Sequence, residues 1–363
     1  MNVYVRKDCL AAVSPKDLAA AEKLMREREW HMRFEAHMED TVQELFAKLR
    51  KMDRPGTERW EELVDQDIER LFDKWEIYEF TVNPDAYTGL VLECKSKRYG
   101  DVILKIYPPF FARRFIKETF VLSNLASYPQ APLLDTDRRR NAMLLRRIFP
   151  GDYIVYEEDR EGIERMFREM WAHRTPVSAV RPIPKEIKGV MDLTLDEYAI
   201  ASTYEYHPEL VKELVDQAKR IYDRFFLDEE RYLLHGDAYY KNALRSNDGI
   251  KVIDPVGYTD AFIFEYMPFL TYELVMHTKP EEYQVQYGKL LDFFKRFTDT
   301  RRFNEAVFVF LVKQMVPSIY EANDEFRRAN RYLHLIQALF FDENGKFTLS
   351  TKREREATDT ASL

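Results

Sequence analysis

The chain of 363 residues is expected to adopt an α+β fold, with a small antiparallel sheet ahead of a mostly helical region. Three observations predict this. Between residues 77 and 107, three short runs rich in Val, Ile, Leu and Tyr are separated by turn residues. From about residue 161 onward, apolar residues recur at helical spacing. The segment Leu233-Leu234-His235-Gly236-Asp237-Ala238-Tyr239-Tyr240-Lys241-Asn242, followed by Val252-Ile253-Asp254-Pro255, then breaks the helical run with short strands and polar residues at fixed intervals.

Taken in order, residues 1–75 read as an N-terminal helical extension. Ser14-Pro15-Lys16-Asp17 is a helix start, because Ser caps and Pro is tolerated at the first helical position. Phe34, Met38, Val42, Leu45, Phe46 and Leu49 give that helix one apolar face, and Arg54-Pro55-Gly56 ends it. A second helix begins near Thr57, with Trp60, Leu63, Val64, Ile68, Leu71, Phe72 and Trp75 on one face. This pair is expected to pack on the domain that follows rather than on a second copy.

Strands are expected at 77–82, 90–95 and 102–107, with turns at Asn83-Pro84-Asp85 and Tyr99-Gly100-Asp101, forming a meander. A helix over 110–127 and strands at 133–135 and 142–147 complete a first lobe, residues 76–149. Pro150-Gly151 is the expected lobe boundary. The second lobe, 150–349, carries helices at 161–173, 191–203, 208–227, 264–276, 280–297, 302–323 and 324–341. Residues 174–185, with three prolines, read as a loop, and residues 350–363 as a polar, frayed tail.

Composition narrows the partners. The net charge of −8 argues against double-stranded nucleic acid, whose phosphates need a basic surface. The two cysteines, Cys9 and Cys94, lie far apart and show no metal-ligand spacing, as in a reducing compartment. No run reaches the roughly 18 apolar residues of a membrane span; residues 306–316 come nearest, and Lys313 interrupts them. The N-terminus holds no apolar run of signal-peptide length. A cytoplasmic protein without a membrane partner is expected.

The polar spacing carries the chemistry. An Asp stands two residues after His235, an Asn five residues after that Asp, and a second Asp 17 residues after the first. Phosphoryl transfer from ATP uses such a set: one carboxylate for the hydroxyl proton, an amide and a second carboxylate for Mg²⁺. Asp237 is therefore the candidate catalytic base, and Asn242 and Asp254 the candidate Mg²⁺ ligands. Taken singly, each is an ordinary turn, cap or strand-end residue; their joint spacing is the specific signal. His235 reads as structural, beneath the base. Lys105 closes the apolar run Val102-Ile103-Leu104-Lys105 and is the candidate contact for the ATP phosphates, with Glu118 as its counter-ion. No G-x-G-x-x-G is present, and no A-P-E element with a long activation segment follows Asp254. The second absence points to a small-molecule acceptor rather than a peptide.

On these residues the chain resembles the aminoglycoside phosphotransferase and choline-kinase-like family, nearest the branch of streptomycin 6-kinases and hydroxyurea phosphotransferases. The matching segments are Val102-Ile103-Leu104-Lys105-Ile106-Tyr107-Pro108-Pro109, Glu118, Ala142-Met143-Leu144-Leu145-Arg146-Arg147-Ile148-Phe149-Pro150-Gly151, Leu234-His235-Gly236-Asp237 through Asn242, and Val252-Ile253-Asp254-Pro255-Val256-Gly257. The resemblance spans residues 76–300. It implies a two-lobed protein-kinase-like fold with ATP and Mg²⁺ in the cleft. It also implies an adenine hinge at Arg147, Ile148 and Phe149, and an acidic pocket for a small hydroxylated, often cationic acceptor. The chain departs from the family with Thr259-Asp260-Ala261 and a later Glu265 after the metal Asp, with Ala238-Tyr239-Tyr240-Lys241 inside the loop, and with a longer N-terminal extension. The competing expectation is a catalytically weak nucleotide-binding module whose N-terminal helices bind a partner; the intact Lys105, Asp237, Asn242 and Asp254 argue against it.

Overall fold

The apolar stripe from Trp60 to Trp75 forms a helix, α1 (Thr57–Trp75), in which Trp60, Val64, Ile68, Leu71 and Trp75 are buried. The computed structural model describes residues 46–47, 49–50, 56–83, 86, 88–180, 182–321 and 326–349. The helix start at Ser14, the Arg54-Pro55 break, the Pro84-Asp85 turn and the tail from residue 350 lie outside the described residues. The chain divides into two units: Met1–Ala112 with Asp135–Leu145, and Arg113–Leu134 with Arg146–Leu363.

In the first unit, β1 (Ile77–Val82), β2 (Leu90–Ser96) and β3 (Gly100–Ile106) form the expected antiparallel meander. The sheet has five strands in the order β1-β2-β3-β5-β4, with β4 at Leu133–Asp137 and β5 at Ala142–Arg146. Alternate residues of β2, Leu90, Leu92 and Cys94, point inward, as a half-buried strand requires. The sheet fixes the end of α1: Trp75 Nε1 donates to Asp135 Oδ2 at 2.8 Å, and Ser96 Oγ donates to the Trp75 carbonyl at 2.6 Å. The apolar face of α1 is thus buried within its own unit.

The second unit is largely helical. Its helices are α2 (Ala112–Asn124), α3 (Arg160–Ala172), α4 (Val190–Ala201), α5 (Pro208–Phe225), α6 (Met267–His277), α7 (Tyr283–Phe294), α8 (Phe303–Glu321) and α9 (Arg327–Phe340). Helix α8 is apolar nearly all round, the pattern of a helix buried on every side. It packs against α4, α5, α6 and α9. Among the described residues, no helix is long and apolar enough to cross a membrane.

Two small sheets stand among these helices. One has the order β10-β9-β6, from β6 (Pro150–Tyr153), β9 (Ala243–Ser246) and β10 (Gly249–Val252). The other has the order β11-β8-β7, from β7 (Thr175–Pro176), β8 (Tyr232–Leu234) and β11 (Tyr258–Asp260). The sequence reading differs here. Pro150-Gly151 opens a strand instead of a plain break, and the proline-rich 174–185 segment contributes one strand of its own. Strands of two to four residues are too short to show an alternating pattern, and only their partners define them.

Candidate active site

The candidate base lies on the loop that leaves β8. His235, the first residue of that loop, is fully buried. Gly236 has φ 76°, and a Cβ there would collide with Tyr258 Cδ2 and stand 2.6 Å from Tyr258 Cε2. Only glycine lets the Tyr258 ring lie against this loop in that backbone conformation. Gly236→Ala is expected to destabilise the protein by more than about 2 kcal/mol, combining left-handed strain with overpacking. A urea midpoint equal to that of the parent would contradict the tight contact.

One carboxylate holds the loop in place. Glu265, on the helical turn Phe262–Glu265, is 0% exposed and accepts the N–H groups of His235 at 2.8 Å and Gly236 at 3.1 Å. Asp237 N–H donates to His235 Nδ1 at 3.3 Å, so the buried imidazole supports the base from beneath. Burial pushes Glu265 up to about 7, although the Gly236 and His235 amides pull it down.

A carboxylate whose folded value lies above its unfolded value near 4.5 favours the protonated folded state. Its stabilising contribution is complete below pH 4.5 and is lost as pH rises through 7. Asp260, pushed up to about 6 by burial, acts in the same direction. Stability is therefore expected to fall between about pH 4 and 7, and Glu265→Gln to reduce that slope. Denaturant midpoints against pH measure this; identical slopes would remove Glu265 from the account.

Asn242 lies five residues beyond Asp237, and its Nδ2 donates to Asp237 Oδ2 at 2.8 Å and to the Asp237 carbonyl at 3.1 Å. That orientation leaves the amide oxygen of Asn242 as the group able to meet a metal. Strand pairing places Asp254 beside it. The β9–β10 ladder ends at Ala243↔Val252, and Ile253 N–H extends it by donating to the Asn242 carbonyl at 2.9 Å. Asn242 and Asp254 thus emerge from the same open end of one hairpin. Asp254 takes φ 60°, a left-handed conformation that Asp tolerates better than most residues. Beyond it, the N–H groups of Val256 and Gly257 both donate to the His235 carbonyl at 3.0 Å. These bonds join the Asp254 segment to the loop that carries Asp237.

Burial pushes the half-buried Asp237 up to about 7; Arg114 and Lys313 pull it down, Asp254 raises it, and the Asn242 hydrogen bond lowers it. Two residues beyond the base, Tyr239 stacks on Tyr272 of α6 at 3.9 Å and 12°. Among the described residues, no group of three or more His, Cys, Asp or Glu side chains could hold a metal ion. An amide oxygen and one carboxylate form an incomplete shell that suits Mg²⁺ when phosphate oxygens and water complete it.

Lys105 of β3 is buried in the first unit, between Leu104 and Ile106. Glu118 of α2 is buried in the second unit. Arg147, Ile148 and Phe149 follow β5; the Phe149 carbonyl accepts from Asn247 N–H at 2.9 Å, and the Arg147 guanidinium lies 5.2 Å from the centre of the exposed Phe149 ring.

Several residues of the site escaped sequence reasoning. The role of Glu265 has no local signature. Asp260 accepts Val190 N–H and Ala261 N–H, each at 2.8 Å, and Tyr222 Oη at 3.0 Å, so it secures the start of α4. Lys313 of α8 donates to Tyr258 Oη at 2.9 Å. A signal for Lys313 did exist: a lone Lys inside an apolar helix demands a partner, as one does on an apolar strand.

No family model and no curated protein matches the sequence. Solved structures do. A thermostable mutant of the aminoglycoside phosphotransferase APH(4)-Ia, in a ternary complex with ADP and hygromycin B, is similar with a TM-score of 0.54 over 74% of this chain and 97% of that one, at 14% identity. Choline kinase LicA from Streptococcus pneumoniae gives 0.54 over 76% and 98%, at 13% identity. A choline/ethanolamine kinase family protein from Mesorhizobium loti gives 0.53 over 74% and 90%, at 13% identity. The fold is kinase-like. At such low identity the likeness is one of fold, and these structural neighbours are small-molecule kinases. The aminoglycoside phosphotransferase and choline kinase resemblance holds at this level, while the streptomycin 6-kinase branch is not distinguished.

Proposed function

We propose that this chain is an ATP- and Mg²⁺-dependent kinase that transfers the γ-phosphate to a hydroxyl of a small molecule. The observation that carries this reading is the placement of Asp237, Asn242 and Asp254 on one loop and one hairpin end, stitched together through His235. Asp237 orients the acceptor hydroxyl. As the acceptor oxygen bonds to the γ-phosphorus, its proton passes to Asp237. The bond from the γ-phosphorus to the bridging oxygen breaks, and that electron pair leaves with ADP. Asn242 and Asp254 would hold Mg²⁺, which supplies positive charge to the phosphate oxygens. Asn242 also keeps Asp237 aimed, through the Nδ2 bond at 2.8 Å.

From the sequence alone, Lys105 is assigned to the nucleotide phosphates, Glu118 to its charge balance, and Arg147, Ile148 and Phe149 to the adenine. A small acceptor is favoured because the chain runs from Asp254 through β11 directly into the turn Phe262–Glu265, without a peptide-binding segment. ADP release with Mg-ATP, across aminoglycosides, choline and hydroxylated metabolites of either charge, tests the reading. Release stimulated by an acceptor is expected. Mg-ATP binding without stimulation by any member would favour the nucleotide-binding module instead.

A further inference from the structure

Two lysines flank the Tyr258 ring beside the candidate base, and an arginine lies within electrostatic reach of it. Lys313 of α8 is only 7% exposed, and its ammonium lies 5.2 Å from the centre of the Tyr258 ring. Lys117 of α2 places its ammonium 5.6 Å from the same ring centre. That ring lies against Gly236, the residue before Asp237. Arg114, one turn before Lys117 on α2, acts electrostatically on both Asp237 and Lys117.

The hydrogen-bonding capacity of the two lysines is largely unused by the protein. Among the described residues, Tyr258 Oη is the only hydrogen-bond partner of Lys313, which has three N–H donors. Lys117 has a ring contact and no hydrogen bond or ion pair among the described residues. A buried ammonium needs acceptors for its donors. Among the described residues, the negative charge acting on these lysines comes from Glu197 of α4, which acts on both, and from Asp237, which with Tyr258 and Glu197 holds Lys313 above the ordinary lysine range and must stay available to the acceptor hydroxyl. Crowding among the cations is felt: burial, Lys313 and Arg114 bring Lys117 down to about 8. An arriving anion would relieve this repulsion. A cationic acceptor group would add to it.

We propose that the acceptor carries an oxyanion, a carboxylate or a phosphate, beside the hydroxyl that is phosphorylated, and that Lys313 and Lys117 bind it. This rests on the kinase reading above and names its substrate class. The acceptor is then a hydroxy acid or a sugar-phosphate-like molecule rather than an aminoglycoside or choline. Tyr258 has a defined part: its hydroxyl orients Lys313, and its ring keeps the two ammonium groups beside the base.

Four probes test it on the full chain: glycerate, glycerol phosphate, glycerol and choline. The first measurement is calorimetry without nucleotide, which reads the anion site whether or not the chain is a kinase. The second is ADP release with Mg-ATP. Glycerate or glycerol phosphate is expected to bind more tightly than glycerol and choline. Lys313→Met is expected to weaken that binding about 10- to 100-fold, the worth of a charged buried hydrogen bond. Lys117→Met, on a partly exposed side chain of α2, provides the same reading if the α8 variant fails to fold. Equal responses to all four probes, including none, overturn the proposal. So does a preference for choline, or anion binding unchanged in both variants. A loss confined to Mg-ATP affinity would assign the lysines to the nucleotide and also overturn it. Anion binding without any Mg-ATP binding would instead refute the kinase reading and leave the anion site standing.

Discussion

Asp237→Asn is expected to lower kcat for acceptor phosphorylation by about 10²–10⁴-fold, the usual contribution of a general base, while ATP affinity holds or tightens. Asn matches Asp in shape, and Asn242 Nδ2 can still donate to the side-chain oxygen that now receives it at 2.8 Å. The loop should also keep its form, because Glu265 and the His235 imidazole hold it through backbone N–H groups that the substitution leaves in place. What is lost is a proton acceptor and a negative charge. The lost charge would have repelled the phosphates, so ground-state nucleotide binding does not suffer. Loose phosphoryl-transfer transition states depend only partly on proton removal, which favours a large but finite decrease. Calorimetry with ATP and acceptor-dependent turnover are measured on the same preparation. A decrease below about tenfold, or a collapse of ATP binding, would make Asp237 a structural or metal-binding residue.

Asp254→Asn should act on the other side of the reaction. The amide keeps the size and the left-handed backbone of the residue, φ 60°, since Asn also accepts that conformation. It removes the carboxylate that the β9–β10 hairpin itself carries at its open end. Metal-borne stabilisation of phosphoryl charge is worth several kcal/mol, so a turnover loss of roughly 10³-fold or more is expected. The Mg²⁺-dependent part of ATP affinity should go with it, and the Mg²⁺-independent part should remain. Titrations with ATP, with and without Mg²⁺, separate the two. Parent-like Mg²⁺ dependence in the variant would remove Asp254 from the metal site. The two substitutions have opposite signatures: Asp237→Asn separates turnover from binding, and Asp254→Asn couples them.

Much of this site was legible because its parts are close in sequence. Asp237 and Asn242 are five residues apart, and their hydrogen bond is a property of one turn. Asp254 returns to Asn242 through a short hairpin, so a fixed spacing already implies proximity. The three-strand meander and the apolar stripe of α1 were legible for the same reason: side-chain period depends on local backbone geometry.

The remainder depended on packing. Glu265 meets His235 across 30 residues, Lys313 meets Tyr258 across 55, and Asp260 meets Val190 across 70. Periodicity shows that α8 is buried; it does not show which loop its single Lys will face. Glu265 stood in view as a departure after Asp254, yet nothing local told that its carboxylate would hold the two amides beneath the candidate base. The sequence by itself determined an α+β chain with a kinase-like polar spacing, because short-range backbone geometry sets period and turn. Only the tertiary structure decided that the candidate base is supported by Glu265 and acted on by Arg114 and Lys313. Those neighbours come from α2, α8 and the turn after β11, and only the packing of the helical core brings those elements together.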